Sequence, residues 1–275
     1  MPLTKKDIIT INSKYIRRDK NTVLIAKHTE NTWQKNRSFS EKKKDTDQGK
    51  KAEAAVLLYL DKDKNITYIP YDDFRCDGFF KYAPFDGIAF SKNTKQKMVE
   101  TIIKRINNEI KQSTYGDISS DLRKYIFNQG FRCIEIKSTK VNDKKLDEKG
   151  NVDFDKILEN HFLTYPAFAR TGNFSYEEYV FYAKKKLHIK GYLPYETVKR
   201  QVIENEKSNS SDIYIHVYMD EANYYIIGYI TKEKFFELAD IKKLIKPRKS
   251  KKALYFVCSL KDGIEMNKID KEFIR

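Results

Sequence analysis

Three side chains in this sequence carry charge where the pattern around them asks for burial. In "FRCIEIKSTK", residues 131–140, Glu135 and Lys137 stand two residues apart in a strand-like run. Alternate side chains of an extended strand share a face, so Phe131, Cys133, Glu135 and Lys137 point one way while Ile134 and Ile136 point the other. The strand is apolar on both faces at its start and charged on one face at its end, which suits a central strand whose far end opens into a cleft. A carboxylate and an ammonium there need a ligand, a metal or each other, because burying either alone is costly. The third side chain is Asp86, the one charged residue of the strand-like "APFDGIAFS"; Gly87 after it leaves room for a substrate or another backbone.

Two carboxylates on adjacent strands suit a hard divalent cation such as Mg²⁺, which takes oxygen ligands and keeps several waters. A lysine beside them can orient, or help deprotonate, a water that attacks a phosphodiester while the cation stabilises charge on the phosphoryl oxygens. The plainer readings are specific too. Glu135 and Lys137 could form a weak surface ion pair on an edge strand, although so apolar a strand is a poor edge. Asp86 could be a turn-forming Asp-Gly, and Asp77-Gly78 offers the same dipeptide in a more turn-like stretch.

The elements that must position these residues are legible in part. Residues 38–51, "SFSEKKKDTDQGKK", read as a polar loop leading into a helix. In "KAEAAVLLYL" the positions Ala52, Ala55, Val56, Tyr59 and Leu60 recur at helical spacing and predict one buried stripe, with Glu53 beside it. "NITYIP" and "APFDGIAFS" read as strands separated by the turn-rich "YDDFRCDGFFKY". A long helix follows with Val99, Ile102, Ile103, Ile106 and Ile110 on one side, then a second over "DISSDLRKYIFNQG", begun by an Asp/Ser capping cluster and stopped at Gly130. Residues 141–160 read as loop, and "YEEYVFYAKKKL" and "YETVKRQVIENEK" as helices. "DIYIHVYMD" and "YYIIGYIT" alternate with period two across a short polar turn and predict a β-hairpin. A helix "KEKFFELAD" and a last strand "ALYFVCS" close the chain. Strands and helices mix throughout, so the fold class is α/β or α+β with a central mixed sheet.

The composition narrows the partner. The 275 residues are 40 % hydrophobic, enough for a real core, and 54 Lys and Arg against 39 Asp and Glu leave a net charge of +15. A polyanion is the implied partner, and nucleic acid is favoured over an acidic protein or a membrane surface. Cys76, Cys133 and Cys258 form no CxxC pair, which points to neither a zinc knuckle nor a disulfide framework. No apolar run approaches the ~20 residues of a membrane span, and the expected location is the cytoplasm. None of the four histidines has ligand-type spacing, and His216 reads as a packing residue between Tyr214 and Tyr218. There is no nucleophile elbow and no GxxxxGK[ST] phosphate loop.

Pro84-Phe85-Asp86 followed by Glu135-Ile136-Lys137 resembles the PD-(D/E)XK nuclease superfamily, and "EIKST" is similar to its form in many type II restriction endonucleases. The resemblance implies a restriction-endonuclease-like core over residues 49–140 and 212–260 of a single 1–275 domain, with 141–211 as a candidate DNA-recognition insertion. It implies metal binding by Asp86, Glu135 and the Ile136 carbonyl, and a water-serving role for Lys137. Glu53 is similar to the acid that family members often add from the preceding helix; pairing with Lys50 or Lys51 on the helix surface is its other reading. Phe85 separates Pro84 from Asp86, and the 49 positions from Asp86 to Glu135 require a helical insertion between neighbouring strands.

The function expected from motif and charge together is that of a Mg²⁺-dependent endodeoxyribonuclease, with Mn²⁺ as a substitute, acting on double-stranded DNA as a type II restriction endonuclease and homodimer. The alternatives are a nuclease that reads DNA structure or free ends, and a non-catalytic basic DNA-binding protein. Candidate DNA contacts are Arg170 and Asn173 in the aromatic-rich "TYPAFARTGNFSYEEY", and Arg248 and Lys249 in "KKLIKPRKSKK", which has seven basic residues and no acid.

Overall fold

The computed structural model describes residues 2–16, 22–28, 38–164, 204, 206–238, 240–245 and 252–273. Nine strands in it fall into two sheets: β1 (Ile9–Asn12), β2 (Ile66–Pro70), β3 (Gly87–Ser91), β4 (Arg132–Lys140), β5 (His161–Thr164), β6 (Ile213–Met219), β7 (Asn223–Thr231), β8 (Asp240–Ile245) and β9 (Lys252–Ser259). The six-stranded sheet has the order β1-β7-β6-β4-β3-β2, and the three-stranded sheet β5-β9-β8. In the larger sheet β4 and β6 run parallel and every other neighbouring pair is antiparallel. The expected α/β class, a central mixed sheet flanked by helices, is what the chain forms.

Both faces of the large sheet are covered, which is why its inner strands read as nearly continuous apolar runs. Helix α1 spans Thr22–His28, and α2 spans Phe39–Asp63. The stripe Ala52, Ala55, Val56, Tyr59 and Leu60 of α2 packs on Ile66, Ala89, Ile134, Ile136, Ile215 and Val217. Helices α3 (Gln96–Gln112) and α4 (Ser120–Asn128) lie between β3 and β4 in sequence, the insertion that the Asp86–Glu135 spacing requires. Their Ile102, Ile106, Ile110, Leu122 and Ile126 cover the opposite face through Ile88, Phe90, Phe131 and Cys133. The rest of that face, Tyr214, Tyr218, Ile227 and Ile230 of β6 and β7, meets Phe162, Phe256 and Cys258 of the small sheet. It also meets Phe235 and Phe236 of α6 (Lys232–Leu238), which follows the short α5 (Phe154–Leu158).

Some expectations need correction. Residues 38–51 are helical. Ser38 caps α2 by accepting the Glu41 N–H at 3.3 Å, and Glu41 accepts the Ser38 N–H at 3.1 Å in return. That Ser-x-x-Glu capping box, with the Asp47–Lys51 pair at 2.7 Å, sustains a turn-rich composition as helix. The last strand does not join the six-stranded sheet: β9 pairs with β5 and β8, and β8 takes up the first residues of the basic "KKLIKPRKSKK". Phe154–Leu158 is helical within the stretch 141–160 expected as loop, and β1, β5 and α1 are elements that the sequence pattern does not predict, the two strands being too short for a periodic signal. The "YEEYVFYAKKKL" helix lies outside the described residues, as does most of "YETVKRQVIENEK". Among the described residues no helix is long and apolar enough to cross a membrane.

Candidate active site

Antiparallel pairing of β3 and β4 sets Gly87 opposite Ile134 and then stops. Asp86 carries the contact one step further. Its N–H donates to the Ile134 carbonyl at 2.9 Å, and its Oδ2 accepts the Ile136 N–H at 2.6 Å, so a side chain takes the place of the next ladder bond. The Asp86 carbonyl is held from the other side by the Tyr71 N–H at 2.8 Å. In a strand the N–H and C=O of one residue face the same neighbour, so the Ile136 carbonyl faces the side where β3 has ended. Two residues on, Gln48 of α2 donates to the Ser138 carbonyl at 3.3 Å and to its hydroxyl at 3.2 Å.

Glu135 and Lys137 stand at that opening: β6 pairs with β4 along both residues, while β3 pairs with β4 only as far as Ile134, so β4 is an inner strand at its start and open on one side at its end. The Lys137 ammonium hydrogen-bonds Glu135; the side chains are 45 % and 23 % exposed, which leaves them reachable from solvent. Burial, and after it the Glu135 charge, pushes the Asp86 carboxyl up to about 7, against the pull of Lys137, Lys50 and the Ile136 N–H. Desolvation works to lower the Lys137 pKa, but Glu135 and Asp86 outweigh it and keep the ammonium above its ordinary value. A lysine held so firmly protonated can donate a hydrogen bond to a water but is a poor base for it.

A second group of charges acts on Asp86 from α2. Glu53, 7 % exposed, comes from the same face of α2 as the buried stripe and is no surface residue. Lys50 lies 2.7 Å from both Glu53 oxygens and 2.6 Å from Asp72. Burial drives the Glu53 pKa well up, Lys50 opposes it, and Asp86 adds to it. The rival Asp77 is spoken for: Arg75 forks onto it at 2.8 and 2.9 Å, also reaches Asp72 at 3.1 Å, and Asp77 accepts the Lys81 N–H at 2.8 Å.

Tyr68 fills the space that Gly87 leaves. A Cβ on Gly87 would come within 2.5 Å of the Tyr68 ring and 2.6 Å of its hydroxyl, so the glycine admits a side chain of this chain rather than a substrate. The hydroxyl is buried and has no hydrogen-bond partner among the described residues. Burial first, and then the charges of Glu53, Asp86, Asp72 and Glu135, hold its pKa well above the usual phenol value.

The structure thus brings together Asp86, Glu135, the Ile136 carbonyl, Lys137 and Glu53. It adds Lys50, Asp72, Tyr68 and Gln48, for which the sequence offers only the i,i+3 spacing of Lys50 and Glu53 as a signal. Arg170, Asn173, Arg248 and Lys249 lie outside the described residues. Among those described, no three His, Cys, Asp or Glu side chains are grouped as a metal site. Lys50 engages both Glu53 oxygens. The donors that remain are two carboxylates and a peptide carbonyl at an opening; all are hard oxygens, and Mg²⁺ needs only one or two protein carboxylates beside its waters. The residues fit such an ion. No family model, curated protein or solved structure matches the chain.

Proposed function

We propose that the chain is a Mg²⁺-dependent endodeoxyribonuclease of PD-(D/E)XK type, acting on double-stranded DNA in the cytoplasm as a type II restriction endonuclease. The observation that carries this reading is the Asp86–Ile136 bond, which ties the first carboxylate to the strand that bears Glu135 and Lys137. A net charge of +15 supports a polyanionic substrate.

In this reading Asp86, Glu135 and the Ile136 carbonyl hold the divalent ion. When bound, that ion supplies charge to the phosphoryl oxygens as negative charge builds on them. Lys137 orients the attacking water as a hydrogen-bond donor, with Glu135 fixing its ammonium. Cutting both strands of a palindromic site calls for a two-fold dimer, because one centre reaches one strand.

The test is plasmid cleavage with Mg²⁺ or Mn²⁺. Glu135→Ala and Lys137→Ala are each expected to lower the rate by at least ~10²-fold, the usual loss when a charge-stabilising group is removed. Unimpaired cleavage by either variant refutes the site. On unmodified phage DNA, discrete fragments support sequence specificity, and smears or action only on branched DNA refute it. Steeply salt-dependent binding with no cleavage in either metal refutes catalysis altogether.

A further inference from the structure

Lys50 is surrounded by carboxylates in a way that a helix-surface lysine is not. Its ammonium lies 2.7 Å from both Glu53 oxygens and 2.6 Å from Asp72 Oδ2, its side chain is only 14 % exposed, and Asp86 is within its electrostatic reach. The connected groups here are five carboxylates, Glu53, Asp72, Asp77, Asp86 and Glu135, and three cations, Lys50, Arg75 and Lys137. With all of these groups ionised, five against three leaves two negative charges, which one divalent cation would balance.

Tyr68 points independently to a ligand in the same place. Buried hydroxyls are nearly always hydrogen-bonded. This one has no partner among the described residues and sits beside Gly87, within the field of Glu53, Asp86, Asp72 and Glu135. The hydroxyl lies against Gly87, the neighbour of Asp86, with a hydrogen bond left to give to a ligand oxygen there.

Without the ammonium, Glu53 and Asp72 would be a second pair of carboxylates of the kind that holds a divalent ion. We infer that Lys50 is a built-in cation occupying the place of a second divalent ion, so that the centre takes a single ion at Asp86 and Glu135. The inference rests on the metal-dependent reading above. A second ion entering there would have to break charge-assisted bonds to two carboxylates and leave the ammonium buried without partners.

The experiment counts Mn²⁺ bound per chain, by calorimetry and by electron paramagnetic resonance, on the full-length protein without DNA. The wild type should bind one ion and Lys50→Met two, with Mn²⁺ raising the melting temperature of the variant more than that of the wild type. Adding Glu53→Gln to Lys50→Met restores the two-charge excess and should return the count to one, which a merely damaged fold would not do. Two ions on the wild type overturn the inference and leave the nuclease reading standing. So does a single ion on folded Lys50→Met, or a Lys50→Met chain that stays unfolded in saturating Mn²⁺, since the ion then cannot replace the ammonium. No ion on the wild type overturns the nuclease reading itself.

Discussion

Replacing Gly87 by alanine puts a methyl group where the Tyr68 ring lies. The new Cβ would come 2.5 Å from Cε2 and Cζ, whereas ordinary contact starts near 3.4 Å, so the ring must retreat by about 0.9 Å. There is little room for this: Tyr68 is 6 % exposed and packs in one cluster with Val56, Ala89, Ile134 and Ile136. Overpacking of a core costs about 1–3 kcal/mol. Gly87 has no left-handed backbone angle, so alanine is not strained there and gains about 0.4–1 kcal/mol from the unfolded chain. The expected net loss is about 1–2 kcal/mol, or ~2–8 °C in melting temperature for a chain of this size. Urea unfolding should show a lower midpoint with an unchanged slope. In a Tyr68→Ala background the same Gly87→Ala change should be neutral or slightly stabilising, so the coupling energy is at least as large as the single-variant loss. Equal losses in both backgrounds, or none in the wild type, would refute the argument that Tyr68 is what requires glycine.

Two further outcomes follow from other parts of the fold. Burial, with Lys137 second, lowers the His216 pKa from 6.5 to about 4. The unfolded chain therefore takes up a proton that the fold refuses; the stabilisation is complete above pH ~6.5 and is lost as pH falls toward 4, by on the order of 3 kcal/mol. His216→Gln should flatten the urea stability profile across that window, and an unchanged slope would place the pH dependence elsewhere. Ser38→Ala should cost about 1 kcal/mol of stability by removing the cap of α2; no loss would mean that residues 38–51 contribute no ordered helix.

Local pattern carried much of the site. Glu135 and Lys137 were legible because the period of a strand is two, and a charge at the end of an apolar run stands out in one dimension. The helices flanking β3 and β4 were legible for the same reason: Ile102, Ile106 and Ile110, and the stripe from Ala52 to Leu60, repeat at helical spacing. The helical start of α2 was masked by lysines and aspartates that read as loop, although its capping box stands in the sequence. The place of β9 was not legible, since an apolar strand does not name the sheet it will join.

The order of acids and the face shared by Glu135 and Lys137 were determined by sequence alone, because alternation within one strand needs no knowledge of its neighbours. Which acid meets them, Asp86 or Asp77, was decided only by the tertiary structure. Both are Asp-Gly dipeptides, and only pairing across the sheet sends one to the Ile136 N–H and the other to Arg75. The Lys50, Glu53, Asp72 and Tyr68 group has the same origin. Its members come from a helix, a strand and a turn, and only the packing of α2 on the sheet brings their charges and the orphaned hydroxyl within range of one another.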